Sequence, residues 1–388
     1  MKNNKNDARS IFVSGSLAWF GFQCGAGFSS GKQVWLYAGQ YGLKGFVCPV
    51  ISWVIASAFT YIVAEYARLV KADSYKDVTG IISHDPRVRK VILFVWDILV
   101  FMAALTVCSS CTAGFGSLLE NMTNIPYYPG CLLFVAGMIL VLCYGKSLLK
   151  RMGNFSLILA VVFFVVCIVA VCLNHEHLTD AFLGKIEYMP IKDDSLFGLS
   201  KAGVIYGIAM TSFFQICSAF AKQFKSRRET VRFIGIGFAI NLSAMLIAWV
   251  AIMAYYPECG ENSMPLYYIV THLGGRGGQI LSIAYDVILV LACITSVGAQ
   301  VIGAQARYIG SLKKIIKSER MCTAIIILVF MLGALLLSRL GLGGVIETMN
   351  NINGICRFPC WVLPVFICGP LAIRRLSAGE MGEKLEFN

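Results

Sequence analysis

From about residue 11 to residue 372 the chain returns repeatedly to apolar runs long enough to cross a bilayer, and no interval between them is large enough for a separate soluble domain. A hydrocarbon core roughly 30 Å thick needs about 17–25 helical residues per crossing. Within it, only a helix or a closed barrel satisfies the backbone's own N–H and C=O groups. Composition agrees: 57% of residues are hydrophobic and 14% charged, against about a quarter charged in soluble domains. The mean hydropathy is +0.72. A single all-α integral membrane domain is expected over 1–388. Its ten crossings fall near 11–41, 46–69, 91–117, 128–145, 154–173, 196–221, 231–255, 278–309, 321–338 and 344–372.

A net charge of +12 is explained by where the charges lie, and no nucleic-acid partner is expected. One set of alternate loops holds Lys2, Lys5 and Arg9; Arg68, Lys71, Lys76, Arg87, Arg89 and Lys90; and Lys146, Lys150 and Arg151. It continues with Lys222, Lys225, Arg227, Arg228 and Arg232; Arg307, Lys313, Lys314, Lys317 and Arg320; and Arg374, Arg375 and Lys384. The opposite set holds little beyond Lys44, Lys185, Lys192, Arg276 and Arg339. By the positive-inside rule both termini face the cytoplasm of a multi-pass protein in the cell membrane. No small-residue cleavage site follows the first apolar run, and no lipoprotein-like box surrounds Cys24, so that run is expected to be a retained crossing. The fifteen cysteines lie mostly inside apolar segments, where a thiol acts as a small apolar group, and no disulfide framework is expected. The C-x-x-C of Cys108 and Cys111 is expected to pack, since redox and metal pairs need accessible, deprotonated thiols.

Ten crossings divide into two groups of five, and an odd number inverts the second group. The repeats are expected over about 10–175 and 195–373. "WDILVFMAALTVCSS" from Trp96 and "YDVILVLACITSVGA" from Tyr285 align Asp97 with Asp286, Ala103 with Ala292 and Thr106 with Thr295. These are the third crossings of the two halves. Against that frame the stretch "GFQCGAGFSSGKQ" at 21–33 is conspicuous, with four glycines, two serines and a lysine inside the first crossing. Non-helical backbone at membrane depth is tolerated only where protein buries it or a cavity meets it. A break over 24–31 would free backbone groups there for a ligand; close helix packing by small residues is the alternative. The sixth crossing, first of the second half, reads "VIYGIAMTSFFQ" from Val204 and again puts Gly207, Thr211 and Ser212 mid-span. Two interrupted segments in corresponding positions point to a transport site. Thr295 and Ser296 are adjacent hydroxyls deep in the eighth crossing. They either bond their own backbone or join freed carbonyls in an oxygen site that suits sodium.

"GAGFSSGK" in the first crossing, "AEYARL" closing the second and "ITS" in the eighth resemble the LeuT-type fold of the amino acid–polyamine–cation transporter superfamily. Within it the chain most resembles the YkvI-like membrane proteins, whose first helix carries a similar GAGF-small-SG pattern. The resemblance spans all ten segments, with its sharp motifs in the first, second and eighth. It implies that the backbone of Gly25, Ala26 and Gly27 receives a substrate carboxylate, within a substrate site of Cys24, Gly25, Ala26, Gly27, Phe28 and Ser29. It also implies that Tyr206, Gly207, Thr211 and Ser212 belong to an unwound part of helix 6, and that Gly21, Cys24, Ala292, Thr295 and Ser296 form a sodium site. Glu65 matches an acidic residue closing helix 2. Two departures bear on the substrate: Lys32–Gln33 stands where the YkvI-like pattern has an acidic residue, and the third crossing has no tyrosine. Lys32 either snorkels, gates the outer side, or pairs with an anionic substrate.

Asp97 and Asp286 are intramembrane carboxylates and coupling candidates. Nine residues separate Asp286 from Thr295, which puts them on opposite helix faces, so they are not expected to share a cation. Glu347, Asn350, Asn351, Asn353 and Arg357 give the tenth crossing a polar face that should look into the bundle or its vestibule, with Glu347 and Arg357 too far apart to pair. His175 and His177 are expected in a solvated loop, and no further His or Cys completes a metal site. The sequence therefore points to a secondary transporter for a small organic solute, an amino acid or related amine, driven by sodium, with no cofactor. Proton coupling through Asp97 or Asp286 is the alternative. A transport-inactive sensor or partner subunit is the alternative of another class. No nucleophile–base pair or metal constellation suggests an enzyme.

Overall fold

The computed structural model describes residues 3–144, 155–183 and 190–378. Lys2, Lys146, Lys150, Arg151, Lys185 and Lys384 of the charge pattern lie outside the described residues. The described secondary structure is all helical, and the described part of every expected segment is largely helix. The first comprises α1 (Asn3–Gln23), α2 (Ala26–Ser29) and α3 (Lys32–Tyr37). There follow α4 (Val47–Val70), α5 (Pro86–Thr123), α6 (Tyr127–Tyr144) and α7 (Phe155–Leu173). The second half contains α8 (Leu196–Met210), α9 (Phe214–Ala221), α10 (Arg227–Ala254), α11 (Gly275–Leu312), α12 (Glu319–Leu337), α13 (Gly341–Arg357) and α14 (Leu363–Ser377). Among the described residues, seven helical runs are long and apolar enough to cross a membrane; one of them, Glu319–Ser377, covers the ninth and tenth expected segments together. Ile11–Gln23 and Ala160–Leu173 are shorter apolar helices.

Local chemistry sets the helix ends. Asp85 caps α5 by accepting from the Arg87 amide at 2.7 Å, with Pro86 in the first turn, where its missing N–H costs nothing. That cap starts the third segment earlier than its apolar run alone suggested. The first segment ends sooner than expected, at Tyr37; a 3₁₀ stretch, Gly39–Phe46, follows, bent at Gly42, whose φ of 61° suits glycine. The expected loop at His175 is instead a short helix, His175–Phe182. The tenth segment carries a π-helical turn, Phe358–Val362, around Pro359.

Large apolar side chains on outward faces remain exposed, among them Phe94 and Ile98 of α5, Leu132 and Leu133 of α6, and Val329 and Leu332 of α12, as expected of faces that meet lipid. Inside, aromatic side chains interlock. Trp19 stacks on Phe213 at 5.3 Å, and Phe214 meets Trp361 at 4.6 Å and Trp96 at 5.4 Å. Between helices, small residues replace bulk, the arrangement membrane helices use for close approach. A Cβ at Gly207 of α8 would stand 2.9 Å from the Ser52 carbonyl oxygen of α4, and one at Gly203 would stand 2.8 Å from Ile51. Ser52 adds a hydrogen bond across the same seam, from Oγ to the Gly203 carbonyl at 2.9 Å. Gly207→Leu should push the two helices apart and cost about 1–3 kcal/mol or more. Thermal melting in detergent checks this, and an unchanged midpoint would show the seam to be loose.

Candidate functional site

The first segment is broken where its glycines and serines cluster. The last α-helical bond of α1 runs from the Cys24 amide to the Phe20 carbonyl at 3.0 Å. Gly25 is extended, α2 makes one turn, and Gly31 at φ 80° redirects the chain into α3. A side chain at Gly31 would strike Leu266 at 2.7 Å. The freed groups find partners locally and far away. Ser29 Oγ donates to the Cys24 carbonyl at 3.2 Å, and Ser30 Oγ to that of Gly27 at 3.2 Å. The Ser30 carbonyl accepts from the Leu266 amide at 2.9 Å, and that of Ser29 from the Tyr285 hydroxyl. Among the described residues, no backbone carbonyl accepts from the amides of Gly25, Ala26 or Gly27.

This break forms one wall of a central cavity of about 50 Å³. Phe22, Gln23, Gly25, Gly27 and Gln33 come from the first segment, and Thr106 and Ser110 from α5. Met210 and Ser212 come from the sixth segment, and Asn350 and Arg357 from α13. A larger cavity of about 370 Å³, lined by Tyr37, Lys192, Asp193, Lys201 and Glu347, lies toward the expected outer side. A third, of about 110 Å³, is lined by Phe22, Tyr75, Gln300 and Arg307 toward the expected inner side. Tyr37 stacks on Tyr206 at 4.8 Å, and the Tyr206 hydroxyl donates to Gln33 Oε1 at 3.4 Å. This pair thus links the outer cavity to the central one, and Phe22 borders both central and inner cavities.

Charges are arranged in tiers. At the outer cavity Lys192 pairs with Glu347 at 2.7 Å. On the exposed turn beside it, hydrogen bonds from Ser195 hold the Asp193 carboxyl below the usual carboxylate range. That contribution is present at neutral pH and fades as acid protonates the carboxyl. Toward the inner side the Nε edge of Arg307 grips Asp97, which also accepts from the Tyr75 hydroxyl at 2.6 Å. Glu65 is buried and takes Nε and Nη2 of Arg68 at 3.0 and 2.7 Å, with the Thr230 hydroxyl at 2.8 Å. It ties the end of α4 to the start of α10. At the cavity, Arg357 is 2% exposed. Its Nη1 donates to the Ala209 carbonyl at 3.0 Å and to Ser212 Oγ at 2.7 Å, and its guanidinium lies 5.2 Å from the centre of the Trp361 ring.

Of the expected substrate residues, Gly25, Gly27 and Ser212 reach the cavity wall. Tyr206 sits above it against Tyr37. The others face packing. Ala26 meets Gly114 of α5, Phe28 stacks on Phe163 at 5.1 Å, and Cys24 and Ser29 bond each other. Gly207 faces α4, and Thr211 accepts from Trp361 Nε1 at 3.1 Å. The sixth segment is tighter than the resemblance implied: 206–210 is α-helical, and only Thr211–Phe213 departs, as 3₁₀. Among the expected sodium ligands, Ser296 approaches the break, its Oγ 3.8 Å from where a Gly25 side chain would begin. Thr295 Oγ1 donates to the carbonyls of Leu291 at 2.8 Å and Ala292 at 3.1 Å, and Gly21 lies in the last turn of α1, which ends at Gln23. Lys32 bonds the Asn262 carbonyl at 3.1 Å and does not line the cavity. Asp286 is buried, and its Oδ1 has no partner among the described residues. Cys108 and Cys111 are buried free thiols. Glu347 and Arg357 do not pair with each other.

The same helical arrangement recurs in solved transporters. A manganese transporter of Eremococcus coleocola, in complex with an aromatic bis-isothiourea substituted compound, aligns with a TM-score of 0.57 at 15% identity, covering 98% of this chain and 82% of its own. A Na⁺-coupled sialic acid symporter in a substrate-bound outward-open state aligns with a TM-score of 0.62 at 13% identity, covering 90% and 77%. MhsT in complex with L-phenylalanine aligns with a TM-score of 0.59 at 14% identity, covering 95% and 98%. No protein-family model and no curated protein matches the chain. The fold is therefore the LeuT type, shared with secondary transporters of distant sequence.

The Asp97–Arg307 pair is less than one-fifth exposed on either side, so each partner depends on the other. Asp97→Asn and Arg307→Gln should each destabilise the protein, and the double variant by less than their sum. A coupling of about 0.5–3 kcal/mol is expected for residues in direct contact. Additive shifts in a melting cycle would show that the two groups ignore each other.

Proposed function

We infer that this protein is a secondary active transporter that carries a small organic solute, an amino acid or related amine, across the cell membrane by alternating access coupled to sodium. The observation that carries the inference is the broken first segment, set at a small central cavity with further cavities on both its outer and inner sides. Non-helical backbone at that depth fits a ligand site, and rocking of the helices about it would expose the site to each side in turn. Motifs in the first segment favour the YkvI-like proteins as its kin within the amino acid–polyamine–cation superfamily. Sodium is the favoured ion because Ser296 Oγ approaches the break, where the resemblance would join it to the carbonyls of Gly21, Cys24 and Ala292 and the hydroxyl of Thr295 in an oxygen site. One sodium ion entering down 100 mV supplies about 2.3 kcal/mol before its concentration gradient counts. Proton coupling remains the second reading, favoured by the unpartnered Oδ1 of Asp286.

The two halves support the inverted repeat. α5 and α11 are each 38 residues long, and Asp97 lies eleven residues past Pro86 just as Asp286 lies eleven past Gly275. The asymmetry of lysines and arginines favours an orientation with both termini in the cytoplasm.

Uptake into proteoliposomes, with sodium or choline outside, tests the reading. Solute accumulation should require sodium. Ser296→Ala and Thr295→Ala should each weaken the apparent sodium affinity about tenfold, near 1.4 kcal/mol. Unaltered sodium dependence in both variants would defeat the sodium site, and uptake driven by a pH gradient alone would favour Asp286. An absence of flux for every solute would put a sensor or partner subunit first.

A further inference from the structure

Six charged side chains that serve the tiers above are matched in pairs: Lys192 with Glu347, Asp97 with Arg307, and Glu65 with Arg68. Arg357 is the exception at the cavity. Among the described residues no carboxylate pairs with it, and no acidic residue lines the central cavity. An arginine carries five N–H donors and stays charged in proteins. Among the described residues, only Nη1 of Arg357 forms hydrogen bonds. Nε makes no hydrogen bond, and none is formed by Nη2 among the described residues. That free edge, Nε with Nη2, is the one Arg68 turns to Glu65 and Arg307 turns to Asp97 elsewhere in this chain. It matches the two oxygens of a carboxylate. A second donor on the same wall, Asn350 Nδ2, is also buried and has no partner within hydrogen-bond geometry among the described residues.

The chain prepares this edge. Arg357 is the last residue of α13, and the π-turn after it, containing Pro359, brings Trp361 under the guanidinium. Ser212 and the Ala209 carbonyl hold Nη1 from the sixth segment. The carbonyl end of α8 supplies part of a negative charge, which lowers the cost of burying the cation but leaves the remaining donors empty. A buried cation with unmet donors beside a cavity asks for an anion.

We propose that the cavity is built for a small organic carboxylate, with the substrate carboxyl seated on the Nε–Nη2 edge of Arg357. This rests on the transporter reading for its transport, but not for its binding chemistry. It narrows that reading, since amines lacking a carboxyl find no counter-charge in the cavity and meet a fixed positive one.

The test uses the purified full chain in sodium buffer and matched probes: common amino acids and short monocarboxylates, each beside its methyl ester and its decarboxylated amine. At least one free acid should raise the melting midpoint while its ester and amine do not. Arg357→Gln should weaken binding of that acid roughly a hundredfold or more, the scale for losing one partner of a buried charge pair. Arg357→Lys, which keeps charge without the fork, should fall between. If Arg357→Gln does not fold, the comparison of acid, ester and amine on the unaltered protein decides. Equal shifts from ester or amine overturn the proposal, as does unchanged acid affinity in Arg357→Gln, or no shift with any acid. The two readings fail separately. Acid binding that needs Arg357 without flux in liposomes would end the transporter reading and leave this site standing. Amine uptake indifferent to Arg357→Gln would do the reverse.

Discussion

The structure depends on how a broken helix is satisfied where water is scarce. Inside hydrocarbon an unpaired amide or carbonyl costs several kcal/mol, so a break in the first segment is possible only if other parts of the chain come to it. They do so from far along the sequence. Ser29 gives its carbonyl to Tyr285 on α11, and Ser30 gives its carbonyl to the Leu266 amide. Ser29 and Ser30 use their own hydroxyls on Cys24 and Gly27. The break is thus joined by direct hydrogen bonds to elements more than two hundred residues away, and α11 is held close enough for Ser296 to face Gly25. Serine and glycine serve here for separate reasons. Serine replaces lost helical donors, and Gly31 supplies a left-handed turn with no room for a side chain.

The same constraint explains why the sixth segment bends less than the first. Its carbonyls at Ala209 and Met210 are not left to a ligand; Arg357 takes one at 3.0 Å and Gln23 the other at 3.0 Å. With both satisfied by side chains from neighbouring segments, a tightening to 3₁₀ over Thr211–Phe213 is enough. Trp361 completes the joint by donating to Thr211. The first, sixth and tenth segments therefore meet through hydrogen bonds at one level, around the central cavity.

Much of this was legible in the sequence, for identifiable reasons. Apolar length gave the segments, and the cluster of glycine and serine at 21–33 located the break, because few other residues tolerate irregular backbone there. The polar stripe of α13 was recognised as inward-facing, and Asn350 and Arg357 indeed line the cavity. What could not be read was direction. Gly207 and Thr211 looked like ligand groups but face α4 and Trp361. A glycine chosen for close packing and one chosen for ligand access have the same letter. The partner of Asp97, Arg307, lies 210 residues away, beyond any local pattern. Gln23, inside the same stretch, carries no such signal by itself, although a polar amide flanking a helix break is a natural donor to freed backbone, as its bond to the Met210 carbonyl shows.

Asp286 and Arg357 are both buried and lie without a charge partner among the described residues, and they do not weigh equally. A carboxyl stranded in an apolar place has a way out, since binding a proton removes its charge. A guanidinium has none, because it stays protonated under any condition a cell provides. An unpaired buried aspartate can therefore rest as a neutral hydrogen-bonding group, and its presence alone does not require a ligand. An unpaired buried arginine must be compensated by dipoles, by an aromatic face, or by an anion that arrives from outside. Arg357 has the first two, in the α8 carbonyl and Trp361, and both act on only part of its surface. Arg357 itself borders the cavity. Arg68 and Arg307 close the Nε–Nη2 edge on carboxylates of their own chain; Arg357 does not, and that difference is what the proposed carboxylate site rests on.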